Sequence, residues 1–263
     1  MLGGRSASFV ARQIFEPANY RSLLALSRVS TQPLRFAQAY FLGAGVYPSE
    51  CPVRTPAGVV APTVYSHHDV FTVNEVFCRQ DYRLASDARV VVDIGSNIGI
   101  SALYFLTRSP DIRAHLFEPD PRNAERLRGN LVAFEGRWTL REEAVGDRDG
   151  VVAFGREQTG RYGGVGMATS DQLQVRCRHI DDVLRDVLEL EGRVDFVKID
   201  TEGLENATVA AIDRTLLAEI GCVCFETASA FNPWPERFVM TRFADTCRLT
   251  AREGQRGVPA RPR

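Results

Sequence analysis

The sequence predicts an α/β fold built on a mostly parallel sheet with helices on both of its faces. Three observations support this: short apolar runs recur after residue 88, helical patterns separate them, and the runs lack the polar–apolar alternation of half-exposed strands. The chain of 263 residues is long enough for one large domain and a small appendage. Parallel sheets bind ligands at the carboxyl ends of their strands, so the residues that follow each strand are the candidates for function.

Five strands of this sheet are predicted from the apolar runs, at 89–94, 113–117, 138–145, 194–199 and 220–225. Helices are predicted between them at 98–107 and 121–134. The stretch 151–180 interrupts this order, because it is rich in glycine and has little helical pattern. We expect an inserted hairpin there, with strands at 151–154 and 173–178 around a mobile glycine-rich loop.

The segment before residue 85 has a different pattern. Amphipathic helices are predicted at 8–15, 19–28 and 33–42, and a hairpin at 51–65 turns at Pro56-Ala57-Gly58. A further helix is predicted at 69–78, with Asp69 as its N-cap. The predicted organisation is an N-terminal extension, 1–68, that acts as a substrate lid, a ligand-binding domain, 69–251, and a disordered tail, 252–263.

The composition narrows the class of protein. The 32 basic and 33 acidic residues give a formal net charge of -1, which disfavours a dedicated nucleic-acid binder. No apolar run has the length of a signal-peptide core or a membrane-spanning helix, so we expect a cytoplasmic protein without a membrane partner. The six cysteines form no CxxC pair and no histidine cluster completes a zinc spacing, which favours buried thiols over a metal site. Only one basic residue, Lys198, is a lysine.

The first strand runs into a sharp turn, VVDIGSNIGI at 91–100. A dinucleotide-binding turn would need glycine at positions 97 and 100, where the chain has Asn97 and Ile100. The alternative pattern D/ExGxGxG, which holds S-adenosylmethionine, fits Asp93, Gly95 and Gly99, with asparagine in place of the middle glycine. An acid suits the partly cationic amino-acid end of that cofactor, which has no phosphates.

Acidic residues follow two later strands. Glu118 lies 25 residues after Asp93, where a carboxylate can accept both hydroxyls of a ribose. Asp200 and Glu202 follow the fourth predicted strand, which contains Lys198. Three roles stay open for this group: acid–base work on a substrate hydroxyl, a salt-bridged network that shapes the site, or a base function for Lys198 with a pKa lowered by burial.

Several blocks in order give the chain a family resemblance. VVDIGSNIGISAL, FEPDP, EAVGD, RHIDDVL, VDFVKIDTEGLE and VCFE resemble the FkbM-type methyltransferases over about 70–225. The resemblance implies a class I methyltransferase fold with a seven-stranded sheet and S-adenosylmethionine as cofactor. It also implies methyl transfer to a hydroxyl of a small molecule, usually a polyketide, sugar or other specialised metabolite.

The resemblance also assigns roles to individual residues. It implies that the methionine end of the cofactor is lined by Asp93, Gly95, Ser96, Asn97 and Gly99, with Asp200 facing the sulfonium and the acceptor. Glu118 and Pro119 would meet the ribose, and the turn Glu143-Ala144-Val145 the adenine. The block TVNEVFCRQDY at 72–82 resembles the lead-in of the family, which would bring Glu75 and Tyr82 near the cofactor.

Methyl transfer to an alcohol needs a base, because an alcohol is a poor nucleophile at neutral pH. The candidates are Asp200, Glu202, Lys198 and the pair His67-His68, which is predicted to lie in a loop before the lead-in helix. His179 is a further option, and Phe231 and Trp234 are candidate walls of an acceptor pocket or parts of a packed loop. A non-catalytic protein that binds the cofactor is the alternative function, and a homodimer is left open.

Overall fold

The computed structural model describes residues 25–157, 163–227, 229, 231–243 and 245–252. The chain forms two compact units, Met1–Arg83 and Leu84–Arg263. The boundary coincides with the change of pattern near residue 85. It places residues 69–83, which the sequence analysis assigned to the ligand-binding domain, in the N-terminal unit. The predicted helix at 8–15, the centre of the predicted glycine-rich loop and nearly all of the predicted tail lie outside the described residues.

The described part of the N-terminal unit begins with helical residues at 25–29. Helix α1, Pro33–Leu42, has the predicted bounds, begins with a proline and ends at Gly43 in a left-handed conformation (φ 64°). Four short strands follow: β1 (Ser49–Glu50), β2 (Val53–Thr55), β3 (Gly58–Val60) and β4 (Thr63–Val64). The predicted hairpin is confirmed, since β2 pairs with β3 across the turn, and β1 pairs with β4 outside it.

The last helix of the N-terminal unit begins earlier than predicted. Helix α2 is His67–Val73, and its N-cap is Ser66 rather than Asp69. Ser66 and Asp69 form a capping box, in which each side chain accepts a hydrogen bond from the backbone N–H of the other. His67 and His68 are therefore the first two helical residues, and the prediction that they lie in a loop is wrong. A π-helical segment, Asn74–Arg79, continues the chain.

The C-terminal unit contains the predicted α/β fold. Its main sheet has seven strands in the order β14-β15-β13-β12-β5-β6-β7, and all neighbours are parallel except those of β15. The strands are β5 (Val90–Ile94), β6 (Arg113–Phe117), β7 (Trp138–Arg141), β12 (Phe196–Ile199), β13 (Cys222–Glu226), β14 (Phe238–Phe243) and β15 (Thr246–Ala251). This confirms the class I, Rossmann-like architecture.

The direction in which strands are added reverses at β5. The chain runs outward from β5 to β6 and β7 on one side, and from β12 to β13 on the other. Because crossovers between parallel strands are right-handed, the connecting helices cover opposite faces of the sheet. The helices are α3 (Ile100–Leu106), α4 (Pro121–Leu131), α5 (Ile180–Glu191) and α6 (Glu205–Ala210).

The insertion is larger than a hairpin. Strands β8 (Ala144–Gly146), β9 (Gly150–Arg156), β10 (Gly163–Val165) and β11 (Asp171–His179) form a second sheet in the order β10-β9-β11-β8. The predicted pairing within 151–178 is confirmed by β9 and β11. The predicted single strand at 138–145 is wrong: the ladder breaks at Glu142 and Glu143, and β8 leaves the main sheet to pair with β11.

The core of the C-terminal unit explains several side chains. Trp234 is 3% exposed and belongs to the main hydrophobic cluster, and Phe231 packs against that cluster, so both contribute to a packed loop. None of the six cysteines forms a disulfide and all are buried, as predicted. Cys222 and Cys224 share one face of β13, with 4.0 Å between their sulfur atoms. Among the described residues, every helix is too short or too polar to cross a membrane.

The turn after β5 requires glycine at its first position. Gly95 has φ 75°, and a Cβ built on it would lie 1.8 Å from the carbonyl oxygen of Asp200, which follows β12. The backbone of the two turns is therefore in direct contact, and only glycine permits this approach.

We predict that Gly95→Ala lowers the free energy of unfolding by about 3 kcal/mol or more, because the new methyl group collides with backbone. The matched control is Gly129→Ala, in the exposed part of α4, where nothing lies within 4 Å of the added atom. That change should leave stability unchanged or raise it by up to about 1 kcal/mol. Urea unfolding of the two variants checks this, and equal stability of both would contradict the close approach.

Candidate active site

A cleft lies at the carboxyl edge of the main sheet, next to the point between β5 and β12 where the strand order reverses. Such a switch point is the usual ligand site of an open parallel sheet. Residues that follow β5, β6, β7 and β12 line this cleft together with side chains of the second sheet. The edge at which the sequence predicts ligand binding therefore carries a cleft.

The turn after β5 is held by the end of β6. The backbone N–H groups of Gly95 and Ser96 both donate to the carbonyl oxygen of Phe117, at 3.0 Å each. Asn97 has φ 48°, a left-handed conformation that asparagine tolerates better than most residues. Its N–H donates to Oε2 of Glu118 at 2.8 Å. Gly95 and Asn97 line the cleft, as predicted for the methionine end of the cofactor.

Glu118 is the central acid of the cleft and is 5% exposed. Its Oε1 accepts the N–H of Asp120 at 2.9 Å, which leaves each carboxylate oxygen with a further lone pair. Burial raises the pKa of Glu118 to about 7, although the N–H groups of Asp120 and Asn97 favour the charged form. Pro119 lines the cleft beside it.

The turn Glu143-Ala144-Val145 also lines the cleft, as the adenine assignment requires. Glu143 makes ion pairs with Arg176 (3.4 Å) and Arg178 (3.9 Å). Its buried Oε2 accepts no hydrogen bond from the described residues. A buried acceptor in this state is able to take a hydrogen bond from an amino group of a ligand.

The second sheet supplies a wall that the sequence analysis did not assign to the site. Phe154, Gly163 and Val165 line the cleft. Gly164 lies against the turn after β12, since a Cβ built on it would be 2.9 Å from the carbonyl oxygen of Glu202. The sequence predicts that the glycines of this segment form a mobile loop. At positions 163 and 164 they instead allow close packing on the cleft.

Lys198 connects the two central strands of the sheet. Its ammonium group lies 3.1 Å from Oδ1 of Asp93 and 3.3 Å from Oδ2 of Asp200, and it donates to the carbonyl oxygen of Gly95 at 2.8 Å. Lys198 and Asp93 are direct neighbours in the β12–β5 ladder, and their side chains are 3% and 0% exposed. The predicted salt bridge between Lys198 and Asp200 is therefore present, with Asp93 as the second partner of Lys198.

This network corrects the prediction that Lys198 is a base. Burial lowers the pKa of Lys198, but the charges of Asp93 and Asp200 outweigh burial, and the net pKa is raised. The ammonium group stays protonated at neutral pH and has no lone pair to offer. Lys198 is a structural cation beneath the cleft.

Three residues assigned to the cofactor have internal partners instead of a place in the cleft. The Asp93 carboxylate is fully buried and accepts the Ser101 hydroxyl at 2.6 Å. The Ser96 hydroxyl donates to the Asp93 carbonyl at 2.8 Å. Gly99 packs on Leu127, where a Cβ would be 3.0 Å from Cγ. Their effect on a ligand is therefore through the shape of the turn.

The turn after β12 places Asp200, Thr201 and Glu202 in the cleft. Asp200 is partly exposed, with 29% of its side chain accessible. Glu202 has φ 56°, an uncommon left-handed conformation for glutamate, and Gly203 follows with φ 116°. Both acids predicted to act on a substrate hydroxyl therefore reach the same opening.

Other candidates lie elsewhere. His67, His68, Glu75 and Tyr82 belong to the N-terminal unit, so their assigned roles stay predictions. The rings of the two histidines are 3.7 Å apart, Glu75 pairs with Arg79 and Tyr82 is buried. His179 caps helix α5, because its Nδ1 accepts the N–H of Asp181. Among the described residues no cluster of three or more acidic, cysteine or histidine side chains could hold a metal ion.

Two further polar residues line the cleft after β6, and neither was predicted from the sequence: Asp120 and Asn123. Asp120 is the N-cap of α4, and its pKa is lowered because hydrogen bonds from Arg122 and the charges of Arg122 and Arg156 outweigh burial. The Asp-Pro pair at the start of this helix is a recognisable capping pattern and could have identified Asp120. Asn123 lies one turn further along and had no such pattern.

Residues 93–220 match the model of the methyltransferase FkbM domain. The chain therefore contains a methyltransferase FkbM domain. The match runs from the end of β5 to just before β13, and so includes the turns that line the cleft.

Curated relatives from three bacteria are similar to the chain. The 2-O-methyltransferase NoeI of Sinorhizobium fredii is 43% identical over 65 residues, 25% of this chain and 26% of NoeI. The 31-O-demethyl-FK506 methyltransferase FkbM of Streptomyces tacrolimicus is 32% identical over 103 residues, 38% of this chain and 40% of that protein. The AMB antimetabolite synthetase AmbE of Pseudomonas aeruginosa is 29% identical over 204 residues, 62% of this chain and 9% of AmbE. The chain thus spans less than half the length of each of these relatives.

We predict that Lys198→Met lowers the free energy of unfolding by about 3–5 kcal/mol, because it leaves the Asp93 carboxylate buried without a counter-charge. Adding Asp93→Asn should recover part of this loss, so that the double variant is more stable than the sum of the two single changes implies. Urea unfolding at pH 7 measures all three variants. Strict additivity would show that the ion pair is not the source of the cost.

We also predict that the affinity for S-adenosylhomocysteine rises as the pH rises through about 7, the pKa of Glu118. Ribose hydroxyls donate to the ionised carboxylate, so the protonated form binds less well, by up to about tenfold per pH unit below the pKa. Calorimetric titrations between pH 6 and pH 8 measure the effect. In Glu118→Gln the affinity should be lower and independent of pH; an unchanged pH profile in that variant would assign the dependence to another group.

Proposed function

We propose that the protein is an S-adenosylmethionine-dependent methyltransferase that methylates a hydroxyl group of a small molecule. The observation that carries this proposal is the set of acids at the strand ends: Glu118 after β6 and Asp200 after β12, the two neighbours of β5, line one cleft. The match to the FkbM methyltransferase domain supports the reaction class.

The residues of the cleft fit the cofactor. Glu118 has lone pairs for two ribose hydroxyls, and Glu143 has an unused acceptor that suits the amino group of adenine. Val145 and Phe154 offer apolar contacts to the adenine ring. Gly95, Asn97 and Asp200 would hold the amino-acid end. Asp93 would then act on the cofactor indirectly, because it holds Lys198 in place below the turn.

The protein's part in the reaction is to orient the acceptor and remove its proton. The cofactor supplies a methyl group that its sulfonium makes electrophilic. Asp200 or Glu202 accepts a hydrogen bond from the acceptor hydroxyl and holds its oxygen in line with the methyl carbon, which is mainly a proximity effect. The same carboxylate takes the proton as the bond forms. His67 and His68 stay candidates for this base.

The acceptor class rests on the relatives. NoeI is named as a 2-O-methyltransferase, and FkbM is named as a methyltransferase of 31-O-demethyl-FK506. We therefore propose a hydroxyl of a sugar, a polyketide or a glycosylated natural product as the acceptor, and specialised metabolism in the cytoplasm as the setting. AmbE, named as an antimetabolite synthetase, is similar over a longer stretch and is consistent with that setting. The alternative is a non-catalytic protein that binds the cofactor.

The test is formation of S-adenosylhomocysteine with a panel of hydroxylated acceptors, each compared with its deoxy analogue. We expect turnover only with the hydroxylated member of a pair. Asp200→Asn should lower turnover by about 100-fold or more and weaken S-adenosylhomocysteine binding far less, by no more than about tenfold, because the amide still offers an acceptor to the amino-acid end. Cofactor binding without turnover on any acceptor would favour the non-catalytic alternative, and an Asp200→Asn effect confined to affinity would remove Asp200 from the reaction centre.

A further inference from the structure

The turn at 200–203 carries both candidate acids but has few regular backbone bonds of its own. It lies between β12 and α6, and two of its residues have left-handed backbone angles. The N–H of Asp200 continues the ladder, since it donates to the carbonyl oxygen of Ile94 at 3.1 Å, but a side chain has to satisfy the N–H groups of Thr201 and Gly203. The side chain that does so is Glu205.

Glu205 folds back over the turn from the first residue of α6. Its Oε1 accepts the N–H of Thr201 at 2.8 Å and lies 3.4 Å from the Thr201 hydroxyl. Its two oxygens accept the N–H of Gly203, at 3.0 Å each. Glu205 is 9% exposed and does not line the cleft, so its carboxylate is used inside the protein.

These bonds determine the direction in which the cleft residues point. Thr201 and Gly203 flank Glu202, so fixing their N–H groups also fixes the strained Glu202 backbone between them. Gly95 and Gly164 contact the turn at the carbonyl groups of Asp200 and Glu202. Glu205 instead binds the N–H groups of Thr201 and Gly203, so its contacts are different from those of the two glycines.

We infer that Glu205 is a positioning residue, which preorganises the turn bearing Asp200 and Glu202 for the cofactor and acceptor. The inference rests on the proposed function, since it assigns Glu205 a role in the same cleft. Charge-assisted hydrogen bonds to backbone N–H groups are strong and directional, and a rigid turn binds a ligand without first paying to order itself.

The test compares Glu205→Ala and Glu205→Gln with a matched control, Asp181→Ala. Asp181 is also a buried acid in the first turn of a helix, and it accepts the N–H of Asp213 at 2.8 Å outside the cleft. The measurements are the Kd for S-adenosylhomocysteine by calorimetry, the thermal midpoint, and hydrogen exchange of the backbone at 201–203.

We expect Glu205→Ala to weaken S-adenosylhomocysteine binding about tenfold and to speed exchange at 201–203. Glu205→Gln keeps one acceptor and should show a smaller loss of about threefold. Asp181→Ala should lower the thermal midpoint but leave the Kd within about twofold.

The inference would be overturned if Glu205→Ala loses thermal stability as the control does but keeps the wild-type Kd and the wild-type exchange at 201–203. Glu205 would then only stabilise the start of α6. If Glu205→Ala does not fold, Glu205→Gln decides, and a wild-type Kd there overturns the inference. Failure of the wild-type protein to bind S-adenosylhomocysteine would instead overturn the proposed function.

Discussion

The buried contact of Lys198 with Asp93 and Asp200 is the interaction on which the site depends. It joins β5 to β12 at the position where the strand order reverses, and it lies directly beneath the cleft. Two carboxylates and one ammonium group share this space, and the Gly95 carbonyl completes the set. Lys198 and Asp93 are buried, and a buried charge of either sign is costly alone, so each of these two requires the other, while the partly exposed Asp200 carries the contact to the cleft.

This contact also positions the turns after β5 and β12, which lie above it. Lys198 holds the backbone of the turn after β5 through Gly95 and the side chain of the turn after β12 through Asp200. Glu118 connects the first turn to the end of β6 by accepting the N–H of Asn97. Its carboxylate thus has two tasks, because it fixes the turn and keeps lone pairs for a ligand. A change at Lys198 or Glu118 consequently alters both stability and binding.

Sequence patterns predicted the helices and strands that are determined by their own local residues. The apolar runs identified β5, β6, β12 and β13, and Pro33 with Gly43 marked the ends of α1. The missed elements depend on their pairing with other strands. Strand β14 is mostly exposed and has no continuous apolar run, so only its pairing with β15 makes it a strand. The departure of β8 from the main sheet likewise follows from its pairing with β11.

The residues of the site were likewise predicted only in part. The acids after β6 and β12 were recognisable because a parallel sheet collects the carboxyl ends of its strands. The charge state of Lys198 was not, since the sequence indicates burial but not which carboxylates lie within 3.3 Å of the ammonium group. Glu205 belongs to the VKIDTEGLE block, but its role depends on the turn before it. The left-handed backbone angles of that turn were not predicted by any residue pattern.

A crystal structure with bound S-adenosylhomocysteine tests the central claim most directly, because it shows which residues hold the ligand. The account predicts the ribose hydroxyls on Glu118, the adenine beside Glu143 and Val145, and the amino-acid end between Gly95 and Asp200. Lys198 should still contact Asp93 and Asp200 and make no contact with the ligand. A ligand bound away from this cleft, or one that displaces Lys198 from its two carboxylates, would contradict it.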